Sequence, residues 1–113
     1  MSRVLITGIA GMAGSYLAEF YVARGWEVHG MIRQRYTMKA GLSFLTGVLD
    51  KVKVHVQDIR DSFGVYSVIE QVKPDIIHHL AAQTYVPYSL TSPLDTFDTN
   101  VNGTLNILEA ARR

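Results

Sequence analysis

Glycines at positions 8, 11 and 14 stand three residues apart, between an apolar run ending at Thr7 and a stretch of helical spacing that begins near Ala13. No other feature restricts the fold as much. A strand that runs through a glycine-rich turn directly into a helix is the opening of a βαβ unit, and each glycine has a mechanical use there. Gly8 lets the chain turn sharply off the strand, Gly11 lets another group come close to the backbone, and Gly14 lets the helix lie against the sheet.

The rest of the chain extends that unit. Val4 to Thr7, Val28 to Ile32, Val52 to Val56 and Ile76 to Ala82 read as apolar on both faces and predict four buried parallel strands. Helical patterns fall between them. Ala13, Leu17, Phe20 and Tyr21 form one stripe, with Arg24 and Gly25 as the stop. Leu42, Leu45, Val48 and Leu49 predict a short helix within a long crossover. Val65, Val68, Ile69 and Val72 follow the i, i+3, i+4, i+7 rule, with Asp61 or Ser62 as N-cap and Pro74 closing the element. The last helix opens with Ser92 as cap, Pro93 at its first position and Asp95 three residues after the cap. It is expected to turn Leu94, Phe97, Val101, Leu105 and Leu108 inward. With right-handed crossovers, this alternation is α/β: the N-terminal half of a doubly wound, Rossmann-like parallel sheet with strand order 3-2-1-4. The outer edge of the fourth strand is then unpaired, so the chain is expected to be the front of a larger domain and, by itself, to be marginally stable or to associate.

Composition narrows the function classes. The chain has 113 residues, 48% hydrophobic and 19% charged, with a net charge of +1, and reads as one globular domain over residues 1–113. Its eleven Lys and Arg are scattered and offset by ten acids, which argues against a nucleic-acid partner. No apolar run approaches the length of a membrane span, and the amino terminus runs straight into a strand, so no membrane role and a cytoplasmic location are expected. The lack of cysteine excludes disulfides and thiolate chemistry.

The turn itself points to an anion. N–H groups from about Gly11 through Met12 to Ala13 begin the helix without intrahelical partners, and with the helix dipole they suit the pyrophosphate of a dinucleotide. No Gly-Lys-Ser/Thr follows, which excludes a triphosphate-binding P-loop. A site for NAD usually offers a carboxylate at the end of the second strand, to bind the ribose hydroxyls. Here the sequence is Met31-Ile32-Arg33-Gln34-Arg35. Arg33 is suited to a 2′-phosphate, so NADP is the expected cofactor, with NAD possible.

Several segments together carry a family likeness. Thr7-Gly8-x-x-Gly11-x-x-Gly14 with Ser15-Tyr16-Leu17-Ala18-Glu19-Phe20, then Val28-His29-Gly30-Met31-Ile32-Arg33, resembles the extended short-chain dehydrogenase/reductase family. Lys73-Pro74-Asp75 leading to His79-Leu80-Ala81-Ala82-Gln83-Thr84 is similar to it too, as is Asn100-Val101-Asn102-Gly103-Thr104-Leu105-Asn106. Within the family the likeness is to the GDP-mannose 4,6-dehydratase branch. The resemblance implies that Asp58 and Ile59 hold the adenine ring and that Leu80, Ala81, Ala82, Gln83 and Thr84 run along the nicotinamide side. It implies a nucleotide-sugar substrate and a homo-oligomer, with the last helix at its interface. It also implies a reaction in which hydride leaves C4 of the sugar for the cofactor, water is lost across C5 and C6, and hydride returns to C6. The chain departs from the branch at Met12-Ala13, where Gln-Asp is usual, and at Gln34 to Lys39, where a serine-rich stretch is usual. Asn100 is more typical of the epimerases. A 4-epimerase, a reductase and a non-catalytic nucleotide-binding module therefore stay open.

The family's chemistry uses a Tyr-x-x-x-Lys pair, the lysine lowering the tyrosine's pKa. Four residues after Tyr16, Tyr21, Tyr36, Tyr66, Tyr85 and Tyr88 stand Phe20, Gly25, Ala40, Glu70, Ser89 and Ser92, so the sequence contains no such pair. No catalytic residue is assigned, and the chain by itself is expected not to turn over substrate. His78 and His79 are adjacent strand residues that point to opposite faces and cannot bind one metal together. Asp58 and Asp61 are explained as a strand end and a helix cap.

Overall fold

The computed structural model describes residues 2–9, 12–33, 51–81 and 93–112. The elements are β1 (Arg3–Thr7), α1 (Met12–Ala23), β2 (Glu27–Ile32), β3 (Val52–Val56), α2 (Ser62–Val72), β4 (Ile76–His79), α3 (Pro93–Phe97), a π-helical segment (Asp98–Asn102) and α4 (Gly103–Arg112). The helix expected around Leu42 to Leu49 and the Ser92 cap lie outside the described residues.

All strand pairs are parallel, in the order β3-β2-β1-β4. Val4 pairs with Val28 on one side and Ile76 on the other, and Val28 pairs with Val52. The chain thus works outward to β3 and then returns across β1 to β4, reversing the strand order beside β1, where such sheets form a crevice.

Each face of the sheet has its own core. On one face, Val4, Ile6, Val28, Ile32 and Val52 pack with Ile9, Ala18 and Tyr21. On the other, Leu5 and Met31 meet Val65, Val68, Ile69 and Val72 of α2, together with Ile107 and Ala110 of α4. Leu5, Ile6, Ile9 and Met31 are fully enclosed, each burial being worth about 1.5–3 kcal/mol. Burial on both faces holds for β1 after Arg3 and for nearly all of β2, but not for the outer strands. Lys53 and Val56 of β3 are exposed, and β4 is only partly covered and ends at His79 instead of Ala82. Val-Lys-Val-His-Val alternates, as suits a strand covered on one side.

Two helix faces differ from the sequence expectation. In α1 the inward residues are Gly14, Ser15, Ala18 and Tyr21, with Leu17 partly buried, whereas Ala13 and Phe20 face outward. Small residues line the close approach, and Phe20 instead lies under the Arg24 guanidinium, 3.5 Å from its ring centre. The last helix is broken by the π-helical segment, and it buries Thr99, Gly103, Ile107 and Ala110. The predicted inward stripe is solvent-facing: Leu94 is 84% exposed and Leu108 62%, and Phe97, Val101 and Leu105 are exposed as well. Regular spacing identified an apolar stripe without identifying the side that packs. The side that packs is the one whose small residues admit a neighbour, since a Cβ on Gly103 would lie 2.6 Å from Ile59 Cδ1.

Helix α2 agrees with its sequence signals in full. Asp61 is the N-cap and accepts from Gly64 N at 3.2 Å, while Val65, Val68, Ile69 and Val72 are the buried residues. The chain leaves through Lys73 in the left-handed region (φ 52), whose N–H donates to Ile69 O at 2.8 Å, and Pro74 follows. None of the described helices is long and apolar enough to cross a membrane.

Candidate nucleotide-binding site

The carboxyl ends of β1, β2, β3 and β4 lie side by side, and Gly8, Arg33, Asp58, Leu80 and Ala81 follow those ends. Gly8 follows β1 with φ +70, a conformation that L side chains rarely adopt. A Cβ there would stand 2.9 Å from Ala81 N, beyond the end of β4. One on Gly14 would stand 2.6 Å from Gly8 O and 2.7 Å from Ile9 Cα. Glycine is therefore required at both positions to let α1 pack this closely against the turn. Met12 is the first residue of α1 and Ala13 is exposed beside it. Gly11, Ala82, Gln83 and Thr84 lie outside the described residues.

One side of this edge is held by a hydrogen-bonded chain that the sequence reading missed. Thr7 Oγ1 accepts from the N–H groups of Leu80 at 3.0 Å and Ala81 at 3.1 Å, and lies 2.7 Å from His79 Nδ1. With its acceptor positions in use, the Thr7 hydroxyl donates to Nδ1. His79 Nε2 is then the protonated nitrogen and donates to Thr104 Oγ1 at 2.8 Å, which in turn donates to Asn100 O at 2.8 Å. Desolvation by burial holds the pKa of His79 below the ordinary histidine range, favouring this neutral form. His78 faces the opposite side of the sheet, where its Nε2 meets Tyr21 Oη at 2.8 Å.

The other side carries charge. Asp58, just past β3, receives Arg60 Nη2 at 2.7 Å and Arg60 Nε at 3.1 Å, the Arg60 backbone N–H at 3.0 Å, and Arg33 Nε from the end of β2 at 3.3 Å. Burial works to raise the Asp58 pKa. The hydrogen bonds from Arg60 and the charges of both arginines outweigh it, so the carboxyl is held below its ordinary range. Arg33 and Asp58, both named from the sequence, are thus brought together, and Arg60 joins them. Ile59 turns the other way: its side chain is buried in the core beneath Gly103, and its carbonyl accepts from Asn106 Nδ2 at 2.9 Å. Leu80 is exposed, and Ala81 lies against the glycine turn.

A parallel sheet in 3-2-1-4 order, with a glycine turn at the strand-order reversal, defines a Rossmann-like α/β fold. The family model described as GDP-mannose 4,6 dehydratase matches residues 5–113, and the chain belongs to that family. It is 39% identical over 115 residues to a GDP-mannose 4,6-dehydratase of Vibrio cholerae, with 97% of this chain and 31% of that protein covered. It is 38% identical over 114 residues to the human GDP-mannose 4,6 dehydratase, with 96% and 31% covered. Among solved structures, the Thermus thermophilus UDP-glucose 4-epimerase in complex with NAD superposes with a TM-score of 0.79 at 35% identity, covering 97% of this chain and 33% of that one. The chain therefore spans about a third of the length of the curated relatives it matches.

Proposed function

We propose that residues 1–113 form the NADP-binding Rossmann domain of a cytoplasmic nucleotide-sugar 4,6-dehydratase acting on GDP-mannose or a close analogue. The observation that carries this reading is the close packing around Gly8 and Gly14, where a Cβ on Gly8 would stand 2.9 Å from Ala81 N and one on Gly14 would stand 2.6 Å from Gly8 O. The main-chain N–H groups at Gly11, Met12 and Ala13 bind the pyrophosphate, with Gly8 and Gly14 shaping the approach. Asp58 and the turn at Ile59 flank the adenine, and Arg33 binds the 2′-phosphate. Leu80 and Ala81, followed by Ala82, Gln83 and Thr84, line the nicotinamide side. When bound, the nicotinamide supplies a hydride acceptor and donor. This chain's own part is to grip, orient and screen it, and no proton-transfer group is assigned among its residues. By the same reading the substrate is a nucleotide sugar, with no nucleic-acid or membrane partner.

A second reading, an NAD-using 4-epimerase, is favoured by the 35% identity to the Thermus enzyme, which was solved with NAD. Calorimetry separates the two. NADP should bind at least about tenfold more tightly than NAD, and Arg33→Ala should weaken NADP about tenfold while changing NAD less than about twofold. Equal losses for both would remove the NADP assignment. A folded sample that gives no heat with either dinucleotide would remove the site.

A further inference from the structure

Two histidines meet across the β2–β3 junction, on the face of the sheet that α2 covers. Glu27 and His29 alternate with Val28 along β2, and His55 lies in register with Met31, so all three side chains share the face of Leu5 and Met31. His29 Nδ1 is 3.0 Å from His55 Nε2, and His29 Nε2 is 2.8 Å from Glu27 Oε2. The ring centres are 5.3 Å apart with their planes at 20°, as wide a separation as a 3.0 Å contact between ring nitrogens permits. The rings therefore meet edge to edge, with the contact along the lone-pair direction of the accepting nitrogen.

The partners fix the protons. The hydrogen bond from His29 holds the Glu27 carboxyl below its ordinary range against the effect of burial, and the charges of Lys53, His29 and Arg3 add to it. An ionised carboxylate only accepts, so His29 Nε2 carries a proton. In the neutral ring Nδ1 is then bare and accepts from His55 Nε2. His29 keeps only 7% of its side-chain surface and has both nitrogens committed. His55 is partly exposed, and its Nδ1 has no partner among the described residues, so a proton arriving from solvent enters there.

One added proton leaves every bond in place. It stays on His55, which still donates through Nε2, or it passes along the N–H···N bond, so that His29 becomes the cation beside Glu27 and His55 Nε2 accepts. A second has no such place, because both facing nitrogens would carry hydrogens across the same 3.0 Å. The surroundings add no compensating anion. Besides Glu27, the charged groups at the pair are Arg3 of β1, 3.0 Å from Glu27 Oε2, and Lys53 of β3, 3.6 Å from Glu27 Oε1, both cationic. Helix α2 turns only the apolar Val65, Val68, Ile69 and Val72 to the sheet, with Glu70 and the capping Lys73 exposed. Burial, then the charges of His29 and Lys53, push the pKa of His55 down, in keeping with a second charge that is resisted.

We propose that His29 and His55 form a one-proton switch in the β2–β3 ladder: the junction takes a single positive charge with its bonds intact and opens when a second arrives. The same ladder ends where Gln57 N–H donates to Ile32 O at 2.7 Å, just before Asp58. Acid therefore loosens the ends of β2 and β3, while the β1–β2 ladder, closed by Gly8 N–H on Met31 O at 3.1 Å, holds. The switch operates without a bound dinucleotide and is independent of the cofactor assigned above.

Imidazole nitrogen NMR and amide hydrogen exchange on the labelled chain, taken from about pH 8 down to about pH 4.5, test this. The pair should take up its two protons in steps separated by more than about one pH unit. Corrected for the intrinsic pH dependence of exchange, the Gln57 amide should be unmoved by the first step and speed up more than about tenfold in the second, with Gly8 changing less than about twofold. His55→Gln keeps an N–H for His29 Nδ1 and has no second proton to take, so Gln57 should then change less than about twofold over the whole range. His29→Asn, whose amide oxygen accepts from His55 in either charge state, should abolish the opening as well, and serves if the first variant does not fold. Two cationic rings with Gln57 still protected would overturn the inference. Opening of the same size in the parent and in a folded variant would overturn it too, as would equal losses at Gln57 and Gly8 in the parent, which mean that the whole sheet unfolds.

Discussion

Both ring nitrogens of His79 are committed, one to the Thr7 hydroxyl and the other to the Thr104 hydroxyl, so the neutral imidazole is the form that fits. Burial lowers its pKa, and His55 is lowered too, first by burial and then by the charges of His29 and Lys53. For a base whose folded pKa lies below its unfolded value, the neutral state is favoured by folding. That contribution is complete above the ordinary histidine value of about 6.5 and is lost as the pH falls from there through the lower folded value. The urea midpoint is therefore expected to drop between about pH 7 and pH 5, and His79→Gln should flatten the slope, leaving the His55 part. Identical slopes in the two proteins would contradict the role given to His79. The opposite-face placement of His78 and His79 could be read from strand alternation alone. The order of donors around His79 could not, because Thr7 and Thr104 stand 72 and 25 residues away; sheet register brings the first beside it and the packing of α4 the second. Arg60 escaped notice for a different reason: a lone arginine after an aspartate has no meaning until the end of β2 is placed beside it.

Helix α2 was readable because its signals are local. A capping aspartate, four apolar residues at helical intervals and a closing proline all act within one turn of the residues they affect, and the structure reproduces each. Asp61→Ala should cost about 1 kcal/mol, seen as a lower urea midpoint, whereas Ser62→Ala should cost only a few tenths, since the cap bond to Gly64 belongs to Asp61. A larger loss from Ser62→Ala would move the cap. The glycine turn was legible too, since Gly8 and Gly14 are where a strand meets a helix at the closest approach. Helix α1 and the last helix were legible only as helices. The sequence reading gave the inward side to the bulkier residues, while in both helices the sheet side is taken by Gly, Ser, Thr and Ala beside a few larger residues. The widened π-helical turn at Asp98–Asn102 left no local signal and shifts the phase of everything after it; the buried Thr99 hydroxyl within it has no hydrogen-bond partner among the described residues.

At the scale of the whole molecule, Leu94, Phe97, Val101, Leu105 and Leu108 make one side of the last helical run apolar and exposed, and β4 has no neighbour on its outer edge among the described residues. Both features favour association, and the homo-oligomer that the family resemblance implies is expected to use the helical stripe. Leu105→Glu combined with Leu108→Glu should raise the dissociation constant of self-association more than about tenfold, as follows from exposing two leucines worth about 1.5–3 kcal/mol each. Sedimentation velocity over a concentration series checks this, and a monomer at every concentration in the unaltered chain would refute it. The links running from Thr7 through His79 and Thr104 to Asn100 bind two distant stretches of chain into one stiff frame. The floor beneath the first glycine and the wall formed by the last helix therefore cannot shift independently. A load placed on one is passed to the other through this shared joinery.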